Sequence, residues 1–278
     1  MNILITGSEG YVGSKLKKEL SFSDHSIFCI DLKKGTDLTS FSFDKKIDVV
    51  IHLAALPSVQ FSVENPSYSL RHNVLGTSKA LEIAKKCGAK RFIFSSSAAV
   101  YGQNGIPNSP YGMHKAMSEM ECKLYSELYG LDTVCLRYFN IFSEDQKYGG
   151  AYSTVISAWI EMLKQNKPLR IDGDGSQSRD FIHVDDIVSA NLFCMNYEEK
   201  FEGKCFDVGL GEEISLSQIK NIIDKKQKGV AWNYCQNRTG DIKNSCADLS
   251  KGLQTLGWKP KVDPITEFEK YFSQNFHI

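Results

Sequence analysis

Hydrophobic and polar positions along this chain keep changing period. Residues 2–6 (NILIT) form a short apolar run of the kind buried in a parallel sheet. The stretch VGSKLKKEL that follows from Val12 carries its apolar residues at helical spacing. Further strands are predicted at Ile27–Ile30, Val49–Leu53, RFIFSSS (residues 91–97) and TVCLRYFN (residues 133–140). Helices are predicted from about Tyr68 to Cys87 and from Tyr111 to about Tyr129. Strands alternating with helices indicate an α/β fold with a doubly wound parallel sheet of the Rossmann type. The stretch KKGTDLTS, between the second and third strands, is too brief for a full crossover helix and strand.

Beyond Ser143 the pattern is less sheet-like and holds one good helix, Thr154–Gln165. IDGDGSQSRDFIHVDDI and CFDVGLGE then add turns, short strands and a helix opened by Asp185 and Asp186, where the helix dipole favours carboxylates. This predicts a smaller, interleaved C-terminal α/β unit. Residues 1–142, with 181–212 returning, form the dinucleotide unit, and residues 143–180 and 213–278 form the smaller one.

Three glycines, Gly7, Gly10 and Gly13, separate the first strand from the first helix. Glycine there lets the backbone approach a pyrophosphate, whose charge sits on N–H groups at the helix start. Asp31 ends the second strand, eighteen residues after Gly13. Its carboxylate can accept both ribose hydroxyls and repels a 2′-phosphate, which favours NAD over NADP; Lys33 and Lys34 keep a 2′-phosphate in play. Ligands of such sheets bind beyond the carboxyl ends of the strands, so Ser95–Ser97 and the glycines are expected to share a crevice. His52 has only apolar neighbours and reads as a packed strand-end residue.

The stretch Phe92–Lys115 carries the candidate chemistry. Ser109 can cap a helix and Pro110 suits its first position. Tyr111 and Lys115 are then four apart on one face. Such a pair is often mere helix surface. A cation beside a phenol also lowers its pKa from about 10 towards neutrality, which makes a general base.

Charge and cysteine usage narrow the function classes. Among 278 residues, 33 basic side chains balance 33 acidic ones, with no basic stripe, which argues against nucleic acid or anionic membrane as the main partner. No apolar run approaches membrane-spanning length. Eight cysteines scattered without C-x-x-C pairs suit a reducing cytoplasm, and no metal site is indicated.

In order along the chain, TGSEGYVG, Asp31, HLAA, NVLGT, SSSAAVYG, SPYGMHK, RYFN, GDGSQSRDFIHVDD, DVGLG, RTGD and LGWKP resemble the extended short-chain dehydrogenase/reductases across nearly the whole length. Within these the chain looks like the NAD-dependent nucleotide-sugar epimerase/dehydratase branch, nearest in pattern to UDP-hexose and UDP-N-acetylglucosamine 4-epimerases. The resemblance implies that Gly7, Gly10, Tyr11 and Val12 hold the pyrophosphate, Asp31 the adenosine ribose, and Asp37 with Leu38 the adenine. It places Leu53, Ala54, Ala55, Ser95 and Tyr138 along the cofactor, with Asn73 bracing the sheet edge behind. Tyr111 is the implied base, Lys115 binds the nicotinamide ribose, and Ser97 bonds the sugar 4-hydroxyl. Asn140, Val155, Trp159, Arg170 and Ile171 fall on the sugar nucleotide, Arg179 and Arg238 on its diphosphate, and Asp241 on a ribose or sugar hydroxyl. The implied reaction is a transient oxidation at C4, with the hydrogen returned to the other face.

A 4,6-dehydratase or decarboxylase typically carries an acidic residue just after the catalytic hydroxyl, where this chain has Ala98 and Ala99. A 4-ketoreductase using NAD(P)H shares Ser, Tyr and Lys and stays open as an alternative. So does a catalytically idle dinucleotide-binding protein, though its catalytic set would be expected to have decayed. Against the family pattern the chain is short between Asp31 and Asp37 and between Gly102 and Pro110, and IFSED replaces the usual Tyr-Gly-Pro turn. The helices Tyr68–Cys87 and Tyr111–Tyr129 sit where the family forms a four-helix dimer contact. Leu70, Val74, Leu81, Ile83, Met117, Met120 and Leu124 are the candidate apolar faces of a homodimer.

Overall fold

The computed structural model describes residues 1–146, 148–149, 154–236 and 243–274. In the first half β1 (Asn2–Thr6), α1 (Tyr11–Leu20), β2 (Ser26–Ile30) and β3 (Val49–His52) come first. They are followed by α2 (Val59–Glu64), α3 (Pro66–Leu70), α4 (Gly76–Lys86), β4 (Arg91–Ser97), α5 (Pro110–Tyr129) and β5 (Asp132–Tyr138). The second half begins with β6 (Asn140–Phe142), α6 (Val155–Lys164), β7 (Leu169–Asp172), β8 (Ser178–Arg179), β9 (Phe181–His183), α7 (Val184–Asn196) and β10 (Lys204–Val208). It ends with β11 (Ile214–Ser215), α8 (Leu216–Lys226), β12 (Trp232–Cys235), β13 (Asn244–Ser245) and α9 (Pro264–Phe272).

Six strands form one parallel sheet in the order β10-β5-β4-β3-β1-β2. The order reverses direction at β1, which opens a crevice between the ends of β1 and β3. The inner strands β1, β3 and β4 are buried on both faces, which is why they read as apolar runs without alternation, whereas β2 at the edge is partly exposed. One face packs on α1 and α7 through Leu16, Ile187 and Ala190, and the other on α4 and α5 through Ala80, Leu81 and Cys122. Leu81 and Ile83, expected on an external face, belong to this core.

Between β2 and β3 the chain makes only one 3-10 turn, Leu32–Lys34, as its brevity predicts. The long helix expected from Tyr68 differs in two respects. It begins at Pro66, and a π-helical turn at Arg71–Leu75 separates α3 from α4. Before it lies α2, capped by Ser58 through Phe61 N–H and too short to show a helical stripe in the sequence.

A second core gathers Phe142, Trp159, Phe181, Ile219, Phe268 and Phe272 from β6, α6, β9, α8 and α9. Residues Leu253 and Trp258, assigned from sequence to the smaller unit, pack instead into the first core. Asp186 explains the return: its two carboxylate oxygens accept N–H bonds from Lys261 and Val262 at 2.8 and 3.0 Å. The Asp185-Asp186 pair opens α7 as expected, and the second carboxylate additionally ties down a distant chain segment.

Candidate active site

The glycine turn is shaped by close backbone approach. Gly7 has φ +73°, and a Cβ there would meet Ala54 N at 2.6 Å; a Cβ on Gly13 would meet the Gly7 carbonyl oxygen at 2.1 Å. The turn is thereby drawn against the loop after β3 and onto the start of α1. Gly10 occupies the N-cap of α1 with no side chain to bond the first-turn N–H groups.

Around this turn lies a cavity of about 870 Å³, running from the ends of β1 and β2 past β3 to β4. Gly7, Gly10, Tyr11, Val12, Asp31, Asp37, Leu38, Leu53, Ala54, Ala55, Ser95, Ser97, Tyr111, Lys115 and Tyr138 all line it. Thus the structure brings together every residue expected on the cofactor except Asn73. Asn73 is buried behind the wall, where its amide accepts from Leu56 N–H and donates to Leu56 C=O, fixing the loop that forms the wall. Its place is that of a brace, as expected, though for the loop after β3 rather than for a sheet edge.

Asp31 is 8% exposed and already accepts two backbone N–H bonds, from Glu9 and Lys33, both at 2.8 Å. A carboxylate has further lone pairs to offer the hydroxyls of a ligand. Lys33 turns its ammonium onto the Glu9 carbonyl at 3.1 Å. Asp37 is held by Thr39, whose N–H and hydroxyl both bond it and lower its pKa.

At the other end of the cavity, Ser109 caps α5 through Gly112 N–H at 3.1 Å and Pro110 takes the first position, as predicted. Gly112 lets the helix close on the turn after β4, since a Cβ there would meet the Ala99 carbonyl oxygen at 2.4 Å. That approach brings Tyr111 and Ser97 to one wall. Ser62 of α2 adds a bond to the Tyr111 N–H at 3.0 Å. Lys115 is 3% exposed and donates to the Ser95 carbonyl at 2.6 Å. Burial lowers its pKa to about 8, with Glu119 acting in the opposite direction. His52 is the packed residue expected: bonded to Thr6 and Thr77, fully buried, and held neutral because burial and then Lys115 lower its pKa to about 3.

Of the residues expected on a sugar nucleotide, Ser97 lines the cavity, whereas Asn140, Val155, Trp159, Arg170, Ile171 and Arg179 are spread more widely outside its lining. Asn140 adjoins the lining residues Phe139 and Ile141 and donates to the Asp180 carbonyl at 3.1 Å. Val155 opens α6, Arg170 is half exposed in an ion pair with Asp172 at 2.7 Å, and Arg179 donates to the Ser178 carbonyl at 2.7 Å. Trp159 and Ile171 are each 1% exposed in the second core, and the Trp159 indole N–H is spent on the Arg170 carbonyl. Packing in the second core accounts for the burial of both. Arg238 and Asp241 lie outside the described residues.

Four participants went unmarked in the sequence: Lys15, Ser143, Asp145 and Glu119. Lys15 on α1 pairs with Asp145 at 2.8 Å, and Tyr11 shares a hydrogen bond with Ser143, so the IFSED segment straps the glycine turn across the cavity mouth. Glu119 follows Lys115 by four residues, a spacing that was visible but unread.

Residues 3–209 match the NAD dependent epimerase/dehydratase family, and the chain belongs to that family. A putative UDP-glucose 4-epimerase of Methanocaldococcus jannaschii is 34% identical, over 94% of this chain and 94% of its own. Among solved structures, a UDP-N-acetylglucosamine 4-epimerase from Methanobrevibacter ruminantium, in complex with UDP-N-acetylmuramic acid, superposes with a TM-score of 0.88 at 31% identity, covering 98% of this chain and 96% of that one. A UDP-glucuronic acid 4-epimerase from Bacillus cereus, in complex with UDP-glucuronic acid and NAD, gives 0.85 at 28% identity with 98% of each chain covered.

Proposed function

We propose that this chain is an NAD-dependent nucleotide-sugar 4-epimerase of the UDP-glucose/galactose or UDP-N-acetylglucosamine/N-acetylgalactosamine type. The observation that carries the reading is the meeting of Ser97, Tyr111 and Lys115 on one wall of a cavity whose far end is the glycine turn and Asp31. The glycine cradle fits a pyrophosphate, since any Cβ on Gly7 or Gly13 would collide with backbone. Asp31 suits the two hydroxyls of an adenosine ribose. A bound nicotinamide supplies the acceptance of hydrogen from C4 and its return.

The chain's own residues do the rest. Tyr111 as phenolate takes the proton of the sugar 4-hydroxyl and later gives it back. Lys115 stabilises that phenolate by its charge and holds the ribose next to it. Ser97, whose hydroxyl accepts the Ala99 N–H at 3.2 Å, is left to donate to the 4-oxygen. Ala98 and Ala99 hold no proton to move, which favours epimerisation over dehydration or decarboxylation. Asn140, Val155, Arg170 and Arg179 are the residues we assign to the nucleotide sugar, with the arginines suited to its diphosphate.

The protein is assigned to the cytoplasm, a setting in which its eight free cysteines persist. No helix among the described residues is long and apolar enough to cross a membrane. A homodimer through a four-helix bundle is supported by an exposed apolar stripe on α5: Met113, Met117, Met120, Leu124 and Leu128. Leu70 at the end of α3 and Leu75 in the π turn are exposed as well. Sedimentation at micromolar concentration tests this, and a monomer removes it.

Incubation with UDP-glucose, UDP-N-acetylglucosamine and their uronates without added dinucleotide, followed by proton NMR, tests the activity. Interconversion at C4 supports the epimerase. Stoichiometric consumption of NADPH establishes the 4-ketoreductase instead, and no turnover of any sugar nucleotide points to an idle dinucleotide-binding protein.

A further inference from the structure

Tyr111, Lys115 and Glu119 follow one another at intervals of four along α5 and form one stripe of that helix. The last three residues of β4 meet this stripe in step. Ser95 offers its carbonyl to Lys115, Ser96 donates its hydroxyl to the Glu119 carboxylate, and Ser97 lines the cavity. Arg137 stands opposite Ser96 in the β4/β5 register and grips Glu119 with two bonds of 2.9 and 2.8 Å. Its remaining arm reaches the Tyr101 hydroxyl at 2.8 Å, which donates to Asp207 at 2.6 Å. Ser96 and Glu119 are both buried. A buried ion pair adds little net stability over apolar packing, so its presence beside the site asks for another reason.

We propose that Glu119 is a positioning residue, which locks the register of α5 against β4 and thereby sets Tyr111 and Lys115 against Ser97. The inference rests on reading those three residues as the catalytic set. Glu119 also acts electrostatically. The titratable groups around the Lys115 ammonium are Tyr111, Glu119 and Cys122 on α5, Cys135 on β5 and His52 on β3. Glu119 is the anion among them, and it works against the burial that lowers the lysine. Glutamine in its place removes the anion that favours the ammonium and leaves the Arg137 charge unbalanced, so Lys115 gives up its proton at lower pH.

The test uses the full chain with its dinucleotide and the variants Glu119→Gln and Ser96→Ala. In Glu119→Gln, kcat is expected to fall about tenfold to a hundredfold with KM changed less than about twofold. The Lys115 ionisation, read by nitrogen-15 NMR of the side-chain amine against a Lys115→Met blank, is expected to move down by about one pH unit. A folded Glu119→Gln protein with unchanged kcat and unchanged titration overturns the proposal. Should Glu119→Gln fail to fold, Ser96→Ala decides, because it removes one hydroxyl and keeps the ion pair; an unchanged kcat there overturns it equally. If the wild-type chain turns over no sugar nucleotide, the proposed function fails, while the Lys115 titration still judges Glu119.

Discussion

Lys115 lies one helical turn beyond Tyr111, its Nζ 5.9 Å from the centre of the phenol ring and 2.6 Å from the Ser95 carbonyl oxygen. The ammonium is anchored to the sheet end rather than free to follow the phenol. Its charge is therefore a fixed field at the ring, with no reorganisation needed when the phenolate forms. A surface pair at the same spacing would be dispersed by water; this one is buried.

Removal of the phenol oxygen alone isolates the base. Tyr111→Phe is expected to lower turnover by about a thousandfold or more, while dinucleotide stays bound, because the glycine turn and Asp31 are untouched. Turnover by NMR and cofactor content after denaturation check both halves. A near-normal rate sinks the assignment of Tyr111.

Lys115 also makes a prediction about stability. Its folded pKa of about 8 lies below the ordinary lysine value of 10.5, because it is buried. The unfolded chain thus holds more protons between those two values. The penalty on folding is complete below pH 8, is relieved as pH rises towards 10.5, and is on the order of 3 kcal/mol. Lys115→Met is accordingly expected to melt no lower than wild type at pH 7 while losing activity. A melting temperature several degrees lower contradicts this.

Asp180 holds three backbone N–H groups, those of Leu210 and Gly211 at 2.9 and 2.8 Å and of Ala247 at 3.1 Å. Alanine there orphans all three donors in a buried setting. A loss of about 3–5 kcal/mol is expected, read as a lower urea midpoint with the slope unchanged. A loss below about 1 kcal/mol means that water or a shifted loop replaces the carboxylate.

Cofactor choice rests on Asp31 and Lys33. With Lys33 turned to the Glu9 carbonyl, NAD is expected to bind at least about a hundredfold more tightly than NADP, and Asp31→Ala to narrow that gap to tenfold or less. Equilibrium fluorescence titration with both dinucleotides checks it. A wild-type preference for NADP reverses the assigned role of Asp31.

Much of this was legible before the structure, and the reasons differ by element. The β1–α1–β2 unit announced itself because its apolar period switches cleanly around three glycines that only a close backbone approach requires. Tyr111 and Lys115 were legible because capping by Ser109 and Pro110 sets the helix register. The π turn at Arg71–Leu75 was not, since its hydrogen bonds skip five residues without a side-chain signature. Leu253 and Trp258 returned to the first core through Asp186, a contact about 75 residues away that no local pattern encodes. Trp159 and Ile171, placed on the sugar nucleotide by the family pattern, are packed into the second core, a burial their apolar neighbours in sequence leave unmarked.

The claim that hydrogen leaves C4 and returns to the same carbon is open to one direct measurement. A UDP-sugar substrate carrying deuterium at C4 is incubated with the purified protein, without added dinucleotide, until the two configurations equilibrate. Full retention of deuterium at C4 in the epimer, by proton NMR and mass spectrometry, is the result this account predicts. Washout of the label into solvent, or an epimer that forms only when dinucleotide is supplied and consumed, contradicts it.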